Sequence, residues 1–232
     1  MIKKNTVEIW LAHLGENCSS TLNFRGFLSK DELIRLENYR IPVLAERFLF
    51  FRGLLRVILS DYLSVAPQEI VFMNDSNGKP RIQEPLKFNV SHTENFFCAA
   101  VSTDFELGID IENIDRKIEL APLVKRFFSE KEFRSWDSFP EKEKATAFFR
   151  CWTRKEAYLK TSGVGIAGLG DIEGSFEILD SKPIVDIKHP MNTEEFIFHE
   201  FGIFPKILGT CSINLKNSIK APKVKIREWR FR

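Results

Sequence analysis

The chain has 232 residues, with 34 Lys and Arg against 32 Asp and Glu; 44% of it is hydrophobic and 28% charged, an ordinary globular composition long enough to bury a sizeable core as one or two domains. A net charge of +2 lacks the clustered basic excess that grips nucleic-acid phosphates, so no nucleic-acid partner is expected. Twenty-two Phe against three Tyr point to aromatic packing and name no activity.

Met1 to Trp10 carries early lysines but no apolar run ahead of a small-residue cleavage site, so no signal peptide is expected. Phe27-Leu28-Ser29-Lys30-Asp31-Glu32 contains an S-x-x-E capping box, which opens a helix by satisfying its first free N–H groups. A longer amphipathic helix follows around Phe50-Phe51-Arg52-Gly53-Leu54-Leu55-Arg56. Its apolar stretch, Phe48 to Leu59, is interrupted by Arg52 and Arg56, which argues against a membrane span. Glu69 to Met73 reads as a short strand, and Asn77-Gly78 as a tight turn. Leu86 to Val90, Phe96 to Ser102 and Leu107 to Ile111 are then expected as successive strands of one antiparallel sheet.

The helical plan now repeats. Phe127-Phe128-Ser129-Glu130-Lys131-Glu132 matches the first capping box, and Phe148-Phe149-Arg150-Cys151-Trp152-Thr153-Arg154 matches the first long helix. A glycine-rich connector, Gly163 to Gly170, leads to expected strands at Gly174 to Leu179, Ile184 to Ile187, Glu195 to Phe201 and Ile207 to Leu215. The reading is an α+β protein of two similar halves, 1–115 and 116–232. Cys18, Cys98, Cys151 and Cys211 form no C-x-x-C pair, as expected of buried reduced thiols in a cytoplasmic protein.

Four groupings carry chemistry. In Gly108-Ile109-Asp110-Ile111-Glu112, strand alternation sends Ile109 and Ile111 to the core and puts both carboxylates on the other face, about 7 Å apart. Such a pair repels unless it is solvated or shares a cation, and oxygen ligands suit Mg²⁺. In Trp152-Thr153-Arg154-Lys155-Glu156-Ala157-Tyr158-Leu159-Lys160, helical spacing puts Glu156 inside a stripe made by Ala145, Phe148, Phe149, Trp152 and Leu159, with Lys160 at its edge. The repeat has Ile58 at the position of Glu156. A carboxylate facing a core needs a reason, because losing its water costs several kcal/mol. Asn77-Gly78-Lys79-Pro80-Arg81 sends Lys79 and Arg81 to one face of a hairpin tip, a potential phosphate clamp, although exposed basic hairpins are common. Ser91 and His92 end a strand; neighbours on a strand point opposite ways, so they are no nucleophile–base pair, but His92 can donate to a phosphate. No catalytic triad, Walker loop or dinucleotide fingerprint is present.

G-K-P, S-H, G-I-D-I-E and W-T-R-K-E-A-Y-L-K, in this order, resemble the 4′-phosphopantetheinyl transferases, in the longer Sfp-type branch. The resemblance runs from about Ser29 to Gly170. It implies two α+β halves meeting face to face, with coenzyme A in the groove between them. It implies transfer of the phosphopantetheine arm to a serine of an apo acyl or peptidyl carrier protein, with release of 3′,5′-ADP. Asp110, Glu112 and Glu156 match the family's Mg²⁺ ligands, and Glu156 or a metal-held water would take the serine proton. Lys160 matches the lysine that neutralises the departing pyrophosphate. Lys79, Ser91 and His92 match coenzyme A contacts, and Arg35 falls loosely where relatives place a basic contact to the same phosphate. Ile111 departs from relatives that carry a further polar ligand there, which would leave the metal more water.

Carrier proteins are acidic around the modified serine, so Ile114 to Arg126, with Arg116, Lys117, Lys125 and Arg126 beside Ile118, Leu120 and Leu123, is expected to contribute to docking. The enzyme is expected to be a cytoplasmic monomer. Two other readings stay open: a coenzyme A sensor without turnover, and a metal-dependent phosphodiesterase, which the acids alone allow but which leaves the G-K-P and S-H motifs unused.

Overall fold

Both capping boxes form, and each opens a helix that leads into a long one. In the computed structural model, which describes residues 2–15, 19–83, 85–163, 187–188, 195–202, 204–215 and 220–230, α1 (Lys30–Glu37) begins where Ser29 Oγ accepts from the Glu32 N–H at 3.3 Å and Glu32 accepts from the Ser29 N–H at 2.9 Å. The same exchange starts α4 (Glu130–Asp137) at Ser129, at 3.2 and 2.7 Å. The helices that follow, α2 (Pro42–Leu63) and α5 (Glu141–Ser162), are both 22 residues long and end on a left-handed residue, Ser64 and Gly163. A short helix, α3 (Leu120–Phe127), precedes α4.

The first sheet has the order β10 (Lys223–Glu228), β1 (Thr6–His13), β5 (Phe96–Ser102), β4 (Lys87–Thr93). Its pairs are antiparallel except β1 with β10, which is parallel. The second sheet is antiparallel, in the order β6 (Glu106–Asn113), β9 (Ile207–Asn214), β8 (Glu195–Phe201), β7 (Ile187–Lys188). A two-strand hairpin, β2 (Met73–Asn74) and β3 (Pro80–Arg81), surrounds Gly78, whose φ of 82° favours glycine.

Strand alternation explains the layering. Ile9, Cys98, Ala100, Ile109 and Ile213 form a core between the two sheets. Phe97, Ala99 and Val101 turn the other way, onto Phe50, Leu54 and Ile58 of α2. On the far side, Phe196 and Phe198 meet Phe148, Phe149 and Tyr158 of α5, with Val124 and Trp136 of α3 and α4. The order is helix, sheet, sheet, helix, an α+β arrangement in which much of the phenylalanine excess is buried. Among the described residues, no helix is long and apolar enough to cross a membrane.

Several expectations need correction. The strand around Leu107 to Ile111 does not extend the sheet of β4 and β5; it pairs with β9 in the second sheet. Most of Glu69 to Met73 is not a strand: a 3-10 turn covers Pro67–Glu69, and only Met73 enters β2. α5 is not a stripe, because from Ala147 to Leu159 all but two residues are buried, on every side of the helix. β1 and β10 were not anticipated. The expected strand Gly174 to Leu179, most of Ile184 to Ile187, the connector beyond Gly163 and Cys18 lie outside the described residues. Cys98, Cys151 and Cys211 are buried free thiols.

Candidate active site

The site is built along the edge of β6 that faces away from β9. An unpaired strand edge leaves backbone groups without partners, and buried ones are costly. Here side chains take them. Lys79 Nζ donates to the Leu107 carbonyl at 3.0 Å, the Ile109 N–H donates to Asn89 Oδ1 at 2.9 Å, Lys160 Nζ donates to the Ile109 carbonyl at 3.1 Å, and the Ile111 N–H reaches Ser91 Oγ at 3.4 Å. Hairpin, β4 and α5 therefore converge on one short stretch of strand. Gly108 permits the approach of α5, since a Cβ there would sit 2.1 Å from the Ala157 carbonyl oxygen and 2.5 Å from Thr161 N.

This packing sets Lys160 over Asp110. Asp110 Oδ1 accepts from Lys160 Nζ at 2.7 Å and from Ser91 Oγ at 2.9 Å, while Oδ2 is buried with no hydrogen-bond partner. Glu112 follows on the same face and meets Arg116 at 3.5 Å. Burial, then the neighbouring Asp110 charge, push the Glu112 carboxyl up to about 7. Glu156 is also raised, by burial and by Asp110. Burial works against the Lys160 ammonium, but the charges of Asp110 and Glu156 outweigh it and hold its pKa above the ordinary value. Three acids around a single lysine, with buried oxygens on Asp110 and Glu112 that have no hydrogen-bond partner, form a donor set that fits a hard divalent cation. Among the described residues they are not drawn into a closed cluster of three ligands.

Two cavities flank this edge. The larger, about 490 Å³, is lined by Arg35, Arg47, Arg52 and His92 with Phe48 and Phe51. The Arg35 guanidinium lies 4.9 Å from the centre of the Phe48 ring, and His92 stacks on Phe51 at 5.0 Å. Burial and the Lys160 and Arg47 charges lower the His92 pKa, which favours neutral imidazole. The smaller, about 250 Å³, lies between the hairpin residues Asn77 to Pro80 and Asn89, Glu156 and Lys160. Lys79 and Arg81 do not form the exposed clamp that alternation suggested. Lys79 also donates to the Lys160 carbonyl at 2.5 Å, and burial with the Arg81 charge brings its pKa down to about 8. Arg81 is engaged by Asp75 at 3.2 Å and Glu106 at 3.3 Å.

The family model of the 4′-phosphopantetheinyl transferase superfamily matches residues 106–202, from the start of β6. The chain is 40% identical to the 4′-phosphopantetheinyl transferase HetI of Nostoc sp. over 172 residues, 72% of this chain and 73% of that protein. This chain belongs to the 4′-phosphopantetheinyl transferases. It is also 34% identical to the transferase psf-1 of Bacillus pumilus over 61% of this chain and 60% of that one. With Sfp of Bacillus subtilis the identity is 28%, over 62% and 64%.

Within the transferase, each polar residue of the α5 motif has a distinct place. Thr153 shares a hydrogen bond with Thr210 at 2.9 Å, Arg154 pairs with Glu200 at 2.6 Å, and Lys155 pairs with Glu132 at 2.7 Å, all buried or nearly so. Only Glu156 and Lys160 of the motif line the smaller cavity together with Leu159. Of the sequence-derived site residues, Lys79, Ser91, Asp110 and Lys160 meet at the β6 edge, with Glu112 and Glu156 beside them, while Arg35 and His92 line the larger cavity. Asn89, Arg47 and Arg52 were missed. Asn89 sits in the F-N-V-S-H run, where alternation already puts it on the same face as Ser91. In the Ile114 to Arg126 segment, Arg116, Lys117, Lys125 and Arg126 are exposed, whereas Ile118, Leu120 and Leu123 pack against the α5 core.

Proposed function

We propose that the protein is an Sfp-type holo-carrier-protein synthase, moving the 4′-phosphopantetheine arm of coenzyme A to a serine of an apo acyl or peptidyl carrier protein. The observation that carries this reading is the meeting of Asp110, Glu112, Glu156 and Lys160 beside an arginine-lined aromatic cavity. Arg35, Arg47 and His92 offer donors for a phosphate, and Phe48 and Phe51 offer faces for a base, as a 3′-phosphorylated adenosine requires. Ser91 and Lys160 lie where the pyrophosphate would meet the acids.

In the transfer, the serine Oγ–P bond forms and the P–O bond of the pyrophosphate breaks, leaving 3′,5′-ADP. Glu156, whose carboxyl burial and the Asp110 charge raise above the ordinary value, is placed to take the serine proton. Lys160 balances the charge that develops on the departing oxygens. Asp110 and Glu112, with Glu156, would hold Mg²⁺, which supplies further neutralisation of pyrophosphate charge when bound.

We place the enzyme in the cytoplasm as a monomer, in keeping with its buried free thiols; a dimer by light scattering would overturn the second point. We also read residues 1–115 and 116–232 as copies of one unit, supported by the paired capping boxes and equal long helices. Exposed Lys125 and Arg126 are assigned to carrier docking. Reversing both to Glu should raise KM for the carrier and leave coenzyme A binding alone; an unchanged carrier KM removes the assignment.

Incubation with coenzyme A, Mg²⁺ and an apo carrier tests the main reading by mass spectrometry. A gain of one phosphopantetheine is expected, and Asp110→Ala should slow it by at least about 100-fold with its circular dichroism intact. No gain on several diverse carriers rejects the transferase, and wild-type turnover of the variant rejects the metal assignment.

A further inference from the structure

Of the side chains that complete the open edge of β6, one that also lines the smaller cavity has no substrate role in the resemblance. Lys79, Ser91 and Lys160 carry groups that the resemblance already assigns to substrate. Asn89 does not, yet it makes the 2.9 Å contact to the Ile109 N–H, immediately before Asp110. It is 4% exposed, and its oxygen stands where a neighbouring strand's carbonyl would be. β4 and β6 are not paired by a backbone ladder. Asn89, with Ser91 two residues on, provides a side-chain ladder in its place, and alternation makes the match regular: alternate residues of β4 serve alternate amides of β6.

We propose that Asn89 is a positioning residue of the transferase: it fixes the register of the acid-bearing strand against β4, and so places Asp110 under Lys160 and Ser91. The inference rests on the functional reading above. Ile109 is held at both of its backbone polar groups, its N–H by Asn89 and its carbonyl by Lys160. Gly108 fixes the face toward α5. Loss of the Asn89 acceptor leaves a buried N–H without a partner, and the strand relieves that by moving the Asp110 backbone. A shift of that kind misplaces the reacting groups without closing the cavity that binds the nucleotide.

Asn89→Leu removes the acceptor at nearly constant shape, and Asn89→Asp keeps it. In the full-length enzyme, Asn89→Leu should lower kcat by about 10- to 100-fold, with KM for coenzyme A within about threefold of wild type. Asn89→Asp should recover a large part of that loss. Hydrogen exchange supplies a readout independent of turnover: the Ile109 amide should lose protection in the Leu variant, well beyond any change at β1 and β5 amides. Wild-type kcat and an unchanged Ile109 exchange rate in Asn89→Leu overturn the proposal. So does equal loss in both variants that follows their melting temperatures, which marks a purely structural role. A rise in KM for coenzyme A at constant kcat would instead make Asn89 a ligand contact. If wild-type protein transfers nothing but Ile109 exchange still depends on the Asn89 acceptor, the function is wrong and the strand ladder stands.

Discussion

α2 and α5 are two helices built on one plan, and they differ where chemistry enters. In both, the capping-box glutamate does more than open the preceding short helix. Glu32 also accepts from Arg56 Nε at 2.7 Å, and Glu132 accepts from Lys155 Nζ at 2.7 Å, so each box closes as a buried ion pair with the long helix that follows. Both helices then cover the outer face of a sheet. Two residues beyond the paired arginines, Arg56 and Arg154, they part. Ile58 is 1% exposed inside an apolar cluster, whereas Glu156 lines a cavity beside Lys160. At this position the first copy only packs, although Arg47, Phe48, Phe51 and Arg52 of the same helix line the larger cavity. The other gives up a packing position for a carboxylate that its surroundings disfavour, as functional sites do.

Exchanging the two residues gives the sharpest test of that contrast. Ile58→Glu places a charge where no partner waits, at a cost of about 3–5 kcal/mol in denaturant unfolding. Glu156→Ile should abolish transfer while leaving the melting temperature equal or higher, because it removes a carboxylate whose ionisation burial opposes. Equal destabilisation by both substitutions would erase the distinction between a packing position and a working one.

Glu8 of β1 and Glu32 of α1 should answer pH with a sign opposite to that of Glu112 in β6. Burial raises Glu8 and Glu32, but hydrogen bonds from Arg227 and Tyr62 to Glu8, and from Arg56 and Ser29 to Glu32, hold both below the ordinary range. They stabilise the fold above the unfolded carboxylate pKa, and that contribution is lost as the pH falls. Glu112 behaves oppositely. With a folded pKa of about 7 against an ordinary 4.5, it retains in the native state a proton that the unfolded chain has released. Its contribution is complete below about 4.5 and is lost as pH rises through 7, about 3 kcal/mol in all. Denaturation of metal-free protein between pH 5 and 8 should show this loss, and Glu112→Gln should flatten it. A slope that survives the substitution assigns the titration to another group.

Local signals in the sequence were strong enough to find both capped helices, both long helices and strands β4, β5, β6, β8 and β9. The capping boxes, the Asn77-Gly78 turn and the alternation in Phe96–Ser102 and Glu195–Phe201 depend only on neighbouring residues, and the last two strands have the expected bounds. What failed was non-local. β6 follows β5 closely, yet pairs with β9 about a hundred residues later, and no local pattern distinguishes the two sheets. β10, Lys-Val-Lys-Ile-Arg-Glu, is an edge strand of alternating charges that was not singled out; Lys225 and Arg227 turn onto Glu8 of β1 only once the strand is placed. The site acids and lysine were legible through motif order. Asn89 was not, because its contact with the Ile109 N–H exists only against the open edge of β6.

Two glycines separate packing from positioning one last time. A Cβ at Gly53 of α2 would meet Phe24 at 2.4 Å, a side chain within an apolar cluster. A Cβ at Gly108 would meet the backbone of α5 itself, at the Ala157 carbonyl and Thr161 N. Gly53→Ala and Gly108→Ala should each cost about 1–3 kcal/mol through overpacking. Only the second should change catalysis, because relief there lifts the turn of α5 that carries Lys160 off Asp110, a pair now 2.7 Å apart. We expect kcat about tenfold lower for Gly108→Ala and near wild type for Gly53→Ala, measured well below both melting temperatures. If the two variants lose stability together and both keep full turnover, the close approach of α5 to β6 serves packing alone, and the placement of Lys160 must come from its hydrogen bonds to Asp110, Ser91 and the Ile109 carbonyl.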